Sequence, residues 1–260
     1  MNNTCAVATQ PEAWVAPATP LPSTPAYSPA RVRTLFDEMA PTYGLAPWLS
    51  AGLMRGWRQQ LVAGLRRPAA GQPVGVVDLM AGGADLWPAL RQYLGAGLCL
   101  TAVDFSAAML ARATRHGAGP GLTLHPADAL ATGLPAGQAQ AVTCAFGLKT
   151  LAPEGYSALA QEAARLLQPG GQLALLEVVL PARGFLRRLL PAYLAALVPA
   201  VQWLWPTAAA HAALAGYLQR GSDLGHFRHA LRQAGFGQLR QQRLWPGCAV
   251  LLTAELPGMQ

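Results

Sequence analysis

Lysine is nearly missing from this chain. Lys149 is the only one, and arginine carries almost all of the formal net charge of +7. Charged residues make up only 12% of the sequence, against 52% hydrophobic. No arginine cluster interleaved with aromatics appears, which argues against a nucleic-acid surface. Anionic lipid is the better match for such charge. The four cysteines, Cys5, Cys99, Cys144 and Cys248, show no C-x-x-C or other metal spacing, so no metal site is expected and the chain reads as reduced and cytoplasmic. Cys99 and Cys144 fall inside predicted strands and read as small buried apolar residues. A basic segment followed by an apolar one is lacking at the start, so no signal peptide is expected. Instead Pro11, Pro17, Pro20, Pro22, Pro25 and Pro29 mark residues 1–30 as a disordered leader.

A long uncharged apolar run is also missing. The most apolar stretch, FLRRLLPAYLAALVPAVQWLW at 185–205, is interrupted by Pro191 and Pro199. Its uncharged part falls short of the roughly 20 residues that a membrane span needs. Two readings stay open: a buried pair of cap helices, or an interfacial element with Arg187 and Arg188 at lipid headgroups and Trp203 and Trp205 at the boundary. The last absence is the G-x-G-x-x-G turn that cradles a pyrophosphate on a helix N-terminus. Without it a nicotinamide oxidoreductase is disfavoured.

What is present centres on residues 74–104. Val76-Val77-Asp78-Leu79-Met80 is apolar and β-branched enough for a buried strand. The small-residue turn Ala81-Gly82-Gly83-Ala84 follows, and a side chain at Ala84 requires a negative φ there. A helix is expected over 85–94, with Pro88 tolerated in its first turn. A second strand over 98–103 ends on Asp104. This is half of a nucleotide-binding βαβ unit, with an acid placed on the order of 20 residues past the turn to accept from ribose hydroxyls. Asp78 beside the turn would repel phosphate but suits a cationic ligand. S-adenosylmethionine (SAM) offers an amino group, a sulfonium and a ribose, with no phosphate.

Around this core the pattern predicts one α/β domain over 31–260. Helices are expected over 31–41 and about 48–65, and residues 31–68 read either as a lid over the ligand site or as plain packing helices. Ser106 is a good N-cap for a helix to about 116, with a third strand over 122–125. Asp128-Ala129 then follows at a strand's carboxyl end, where open α/β sheets bind ligands. A fourth strand (141–146), a helix (153–167), a sharp turn at Gln168-Pro169-Gly170-Gly171 and a fifth strand (173–178) come next. Glu177 reads as a helix-facing surface group and His125 as structural. Two strands, 238–244 and 248–255, joined by Trp245-Pro246-Gly247, close the chain. Together these give a doubly wound, Rossmann-like, seven-stranded, mostly parallel sheet with an antiparallel C-terminal hairpin.

In order, LFDEMAPTY (35–43), SAGLMRGWR (50–58), VDFSAAML (103–110), AFGLKTL (145–151), ARLLQPGGQLALLE (164–177) and QAGF (233–236) resemble the ubiquinone/menaquinone biosynthesis C-methyltransferase family, within the class I SAM-dependent methyltransferases. The resemblance implies SAM as cofactor. It implies that Asp78, Met80, Gly82 and Gly83 hold the methionine part, Asp104 and Phe105 the ribose end, and Asp128 and Ala129 the adenine. Ala145 would lie beside the cofactor and Tyr43 would close over it. The chain departs from the family at the turn, which keeps one glycine of D-x-x-G-G-T-G in register, at Tyr43-Gly44 and Pro47 in place of Tyr-Asp and Asn, and at Lys149-Thr150 in place of Arg-Asn.

The implied activity is C-methylation of a demethylmenaquinol-type quinol or similar phenolic lipid, with peripheral contact at the inner face of the membrane. Two alternatives stay open: methyl or other group transfer to a small natural product, and a non-catalytic SAM-binding protein. Methyl transfer from a sulfonium needs no metal. A base that deprotonates the phenol would help, and the substrate-cap insertion over 181–222 and its edge supply candidates in His211, Tyr217 and Asp223.

Overall fold

The computed structural model describes residues 28–45, 50, 52–67, 69, 72–117, 119, 121–181, 184, 186–204 and 223–258. The first helix, α1 (Pro29–Met39), begins two residues before its expected start because Ser28 caps it and Pro29 fits its first turn. A 3-10 turn (Tyr43–Leu45) and α2 (Leu53–Ala63) lead into β1 (Val74–Leu79). Then come α3 (Trp87–Leu94), β2 (Leu98–Asp104), α4 (Ala107–Gly117), β3 (Leu122–Pro126) and β4 (Ala139–Ala145). The remainder is α5 (Gly155–Leu166), β5 (Leu167–Val178), α6 (Leu186–Leu204), α7 (Leu224–Gln233), β6 (Gly237–Leu244) and β7 (Ala249–Glu255).

The strands form one sheet in the order β3-β2-β1-β4-β5-β7-β6. Pairings from β3 across to β5 are parallel, and β7 runs antiparallel to both of its neighbours. The expected sheet and terminal hairpin are both present. Strand order reverses between β1 and β4, so their carboxyl ends flank the crevice where open α/β sheets bind ligands.

Strand alternation sends side chains to two cores. Val77 and Leu79 of β1, with Val142 and Leu175, pack under Leu159 and Ala163 of α5 and Phe227 and Leu231 of α7. Val74 and Val76, with Leu100 and Leu176, pack under Trp57 and Leu61 of α2 and Leu90 of α3. Each fully buried leucine contributes about 2 kcal/mol through the hydrophobic effect. Asp78 shares the parity of Val74 and Val76 and therefore faces the α2 layer.

Four expectations are corrected here. The turn at Gln168–Gly171 does not precede β5 but lies within it: Ala139 pairs with Leu167 and Ala141 with Gln172, so the extra residues bulge out of the ladder. Cys99 is exposed, because β2 alternates and turns it away from buried Leu98 and Leu100. Residues 186–204 form one continuous helix, not a helix pair. A proline inside a helix gives up a backbone bond and crowds the carbonyl four residues earlier, yet the helix continues past both. None of the described side chains of α6 is buried, and Leu189, Tyr193 and Trp203 are exposed. The leader expected over 1–30 lies, up to residue 27, outside the described residues.

Candidate functional site

Asp78 sits on β1 directly beside Thr143 of β4, whose hydroxyl donates to its Oδ1 at 2.6 Å. Only 2% of Asp78 is exposed. Burial pushes its carboxyl up from 3.8 to about 7, against the pull of the Thr143 hydrogen bond and the Arg58 charge. The turn after it alternates into the left-handed region at Met80 (φ 57°), Gly82 (φ 56°) and Ala84 (φ 56°). The expectation of a negative φ at Ala84 is therefore overturned. The conformation costs about 1–2 kcal/mol for a residue with a Cβ. It is held by hydrogen bonds from the Ala84 amide to the Ala81 carbonyl and from the Trp87 amide to the Ala84 carbonyl, both 3.0 Å.

Asp104 shapes this turn as well as facing it. Its Oδ2 accepts from the Gly82 amide at 2.7 Å and its Oδ1 from the Ser106 amide at 2.9 Å. Each oxygen keeps lone-pair capacity for a further donor. Burial raises the Asp104 carboxyl, and the Ser106 and Gly82 amides oppose that rise. The Ser106 hydroxyl, which caps α4 through the Met109 amide, donates in turn to Asp37 of α1 at 2.6 Å. The Phe105 ring, half-buried, lies 5.4 Å from the Arg33 guanidinium.

A second cluster lies over the turn. Tyr43 brings its hydroxyl to 3.9 Å from where a Cβ on Gly82 would stand. Burial, with the Asp85 carboxylate nearby, pushes that hydroxyl up to about 12. Asp85 stands between two guanidinium groups, Arg58 of α2 at 3.7 Å and Arg112 of α4 at 3.8 Å. Arg58 also lies 5.4 Å from the ring of Phe146, which follows β4 with φ 64°. Arg58, Asp85, Arg112 and Thr143 received no role from the sequence. Arg58 closes a recognisable W-R pair, whereas Arg112 carries no local signal.

At the ends of β4 and β5 the structure corrects Glu177. It is fully buried (0% exposed), not a surface group, and pairs with Lys149 at 3.1 Å. Its other oxygen accepts from the Lys149 amide at 3.0 Å, and the Lys149 ammonium also donates to the Phe146 carbonyl. Ala145 is half-buried at the end of β4. The Ala127 amide donates to the Asp104 carbonyl at 3.2 Å, so the segment leading to Asp128 and Ala129 starts beside the end of β2. Asp128 is exposed and its Oδ1 accepts from the Leu130 amide at 2.9 Å, an Asx turn. Ala129 is packed into the core under α5. His125 accepts or donates at the Thr132 carbonyl, 2.8 Å away, in keeping with a structural role. Among the catalytic candidates, Asp223 is the N-cap of α7, its carboxylate accepting from the His226 amide at 2.9 Å. His211 and Tyr217 lie outside the described residues.

The profile of the ubiE/COQ5 methyltransferase family matches residues 26–254. The ubiquinone/menaquinone biosynthesis C-methyltransferase UbiE of Geobacter sulfurreducens is 26% identical, over 86% of this chain and 88% of its own. The demethylmenaquinone methyltransferase of Mycobacterium tuberculosis H37Rv is 31% identical, over 89% of this chain and 95% of its own. In fold, the chain resembles human N-acetylserotonin methyltransferase, solved in complex with SAM, with a TM-score of 0.57 at 18% identity, covering 86% of this chain and 59% of that one.

The residues around the turn suit a sulfonium nucleoside. A buried carboxyl poised near neutrality at Asp78 gains a counter-charge from a cationic ligand, and Asp104 retains acceptor capacity for ribose hydroxyls. The turn between them keeps the small residues Ala81, Gly82 and Gly83, over which a ligand can approach the backbone.

Proposed function

We propose, on the premise that this chain belongs to the ubiE/COQ5 methyltransferase family and is a SAM-dependent methyltransferase, that its acceptor is a ring carbon of a demethylmenaquinol-type quinol. The observation that carries this reading is the near full-length similarity to a demethylmenaquinone methyltransferase, at 31% identity over 95% of that protein. SAM, when bound, supplies a methyl group on a positively charged sulfur. The work of the chain is alignment and exclusion of water. Asp78 and Asp104 anchor opposite ends of the cofactor, while Tyr43 and Arg58 cover the turn. The carbon that gains the methyl must lose a proton, so the quinol needs a proton acceptor. His211 and Tyr217 are the candidates for that role in this proposal. Asp223 is already engaged as a helix cap.

A prenylated quinol must leave the bilayer to react, and α6 suits that task. Arg187 and Arg188 stand exposed near one end and Trp203, 83% exposed, near the other. That is the arrangement of an interfacial helix. No helix among the described residues is long and apolar enough to cross a membrane. The deciding experiment is deletion in the native host followed by quinone profiling. Accumulation of a demethyl quinone, reversed by the gene, supports the assignment, and an unchanged quinone pool overturns it.

A further inference from the structure

The positive charge and the exposed apolar side chains of this protein fall in the same part of the sequence. Residues 178–254 hold eight of the 19 basic residues and a single acid, Asp223, so the whole formal charge of +7 lies there and the rest of the chain is neutral. Charge gathered in one part of a chain marks contact with an anionic surface. The large hydrophobic side chains exposed among the described residues are Leu189, Tyr193, Trp203 and Trp245, and all four belong to this stretch. Three of them sit on α6. The fourth, Trp245, stands at the tip between β6 and β7, 78% exposed. Its exposure is not that of a frayed end. The Trp57 indole of α2 donates to the Trp245 carbonyl at 2.7 Å, the Gly247 amide to the Leu244 carbonyl at 2.7 Å, and the Arg243 guanidinium to the Gly247 carbonyl at 3.0 Å. A backbone held at three points presents an indole ring to solvent.

The tip and α6 share one end of the sheet. Val178, the last residue of β5, pairs with Ala249, and the Val179 amide donates to the Cys248 carbonyl at 2.9 Å. The tip therefore stands at the carboxyl end of β5, the end at which the crevice between β1 and β4 opens. Leu190, near the start of α6, packs against the core that contains Leu244 and Cys248, which flank the tip. β6 is the edge of the sheet, and its Arg240 and Arg243 are exposed beside Trp245. Arginines for headgroup phosphates, next to an indole that can bury its ring and keep its N–H wet, are the chemistry of an anionic lipid interface. We propose that the β6–β7 tip is a second lipid contact, in which Trp245 enters the interface of an anionic bilayer and Arg240 and Arg243 meet its phosphates, while α6 lies on the same surface. Two contacts are needed because one weak anchor holds a protein to lipid only marginally and reversibly. Together they turn the carboxyl end of the sheet, with its crevice, toward the bilayer. The inference extends the lipid contact proposed for α6 and does not depend on the identity of the acceptor.

The test is cosedimentation of the full-length protein with two kinds of vesicle, phosphatidylcholine alone and its equimolar mixture with phosphatidylglycerol. Wild type should bind the mixed vesicles more tightly, since each arginine near an anionic surface gives about a fivefold gain. Trp245→Ala should weaken binding to mixed vesicles by about tenfold. Arg240→Gln combined with Arg243→Gln should weaken it by on the order of 10- to 30-fold, with little effect on neutral vesicles. Neither change should move the SAM dissociation constant, which reports that the fold is intact, because Trp57 bonds to the Trp245 backbone and not to its ring. Trp245→Phe keeps an apolar ring and should bind nearly as wild type, yet lose part of the tryptophan fluorescence that brominated lipid quenches. Mixed-vesicle binding by Trp245→Ala equal to that of wild type, or quenching unchanged in Trp245→Phe, overturns the proposal. Leu189→Glu combined with Trp203→Ser separates it from the reading of α6. Loss of binding in that variant with none in Trp245→Ala leaves α6 as the sole contact and overturns the tip, and the reverse removes α6 and upholds the tip. Binding to random-sequence RNA without binding to vesicles assigns the charge to nucleic acid and overturns the proposal as well.

Discussion

Titrating SAM against the protein at a series of pH values from about 5 to about 7 tests the buried carboxyl of Asp78 directly. In the free protein its proton is held up to about 7, chiefly by burial. A cationic ligand beside it favours the carboxylate, so binding in this window must expel a proton. Below neutrality SAM affinity should therefore fall by about tenfold per pH unit. Over the same range the ligand's α-amino group stays protonated, its ordinary pKa being about 7.7–8.0, so the slope belongs to the protein. Arg58, Asp104 and Asp85 also act on Asp78, and Asp78→Asn separates its share from theirs. The variant should bind more weakly at neutral pH but lose most of the slope.

The same shift has a consequence for stability, and its sign is fixed. A raised acid favours the folded state below its unfolded value of 3.8 and loses that advantage as pH rises to about 7. At about 1.4 kcal/mol per pKa unit the loss is on the order of 4 kcal/mol. Urea unfolding of the ligand-free protein should accordingly show Asp78→Asn gaining on wild type as pH rises from about 4 to about 7, and running level above it. Calorimetry in buffers of different ionisation enthalpy reads the proton release. A flat affinity profile, with heats independent of buffer, would refute the reasoning.

Ala84→Gly relieves a left-handed backbone and should stabilise the protein by up to about 1 kcal/mol, after allowance for the extra freedom glycine gives the unfolded chain; a urea midpoint unchanged or lowered would count against the positive φ at that position. Lys149→Met strands the fully buried Glu177 carboxylate and should cost about 3–5 kcal/mol, most of it recovered when Glu177→Gln is added, with denaturation of the single and double variants as the check. Leu189→Glu combined with Trp203→Ser should abolish cosedimentation with vesicles containing anionic lipid without moving the SAM dissociation constant. Equal vesicle binding by that variant and wild type would remove α6 from the proposed membrane contact.

Most of the sheet was legible because its strands are apolar runs, such as VGVVDL of β1 and AVLLTAE of β7, set apart by turn signals. Asp104 was legible because a strand ending on an acid one βα unit past a turn is a local pattern. What escaped was set by distance in sequence. Gln168-Pro169-Gly170-Gly171 carries every local mark of a turn, yet pairing with β4 draws it into a strand as a bulge. Glu177 looked exposed because its partner, Lys149, lies 28 residues away. Arg112 carries no local signal, since only the assembled fold shows that Gly83 and Gly44 leave it a path. Ala84 was misjudged for a related reason. Propensity argues against a left-handed alanine, but hydrogen bonds on both sides of the turn outweigh that preference.

The hydrogen bonds from the Gly82 amide to Asp104, from the Ser106 amide to Asp104 and from the Ser106 hydroxyl to Asp37 form an unbroken polar thread. One end is the bend after β1, and the other is α1, eleven residues long. A helix of that length has little reason to persist in water by itself, so it depends on this thread and on the burial of Val32 and Met39. A ligand that orders the bend would thereby be linked to the docking of the leading helix. Whatever steadies the one steadies the other by the same free energy.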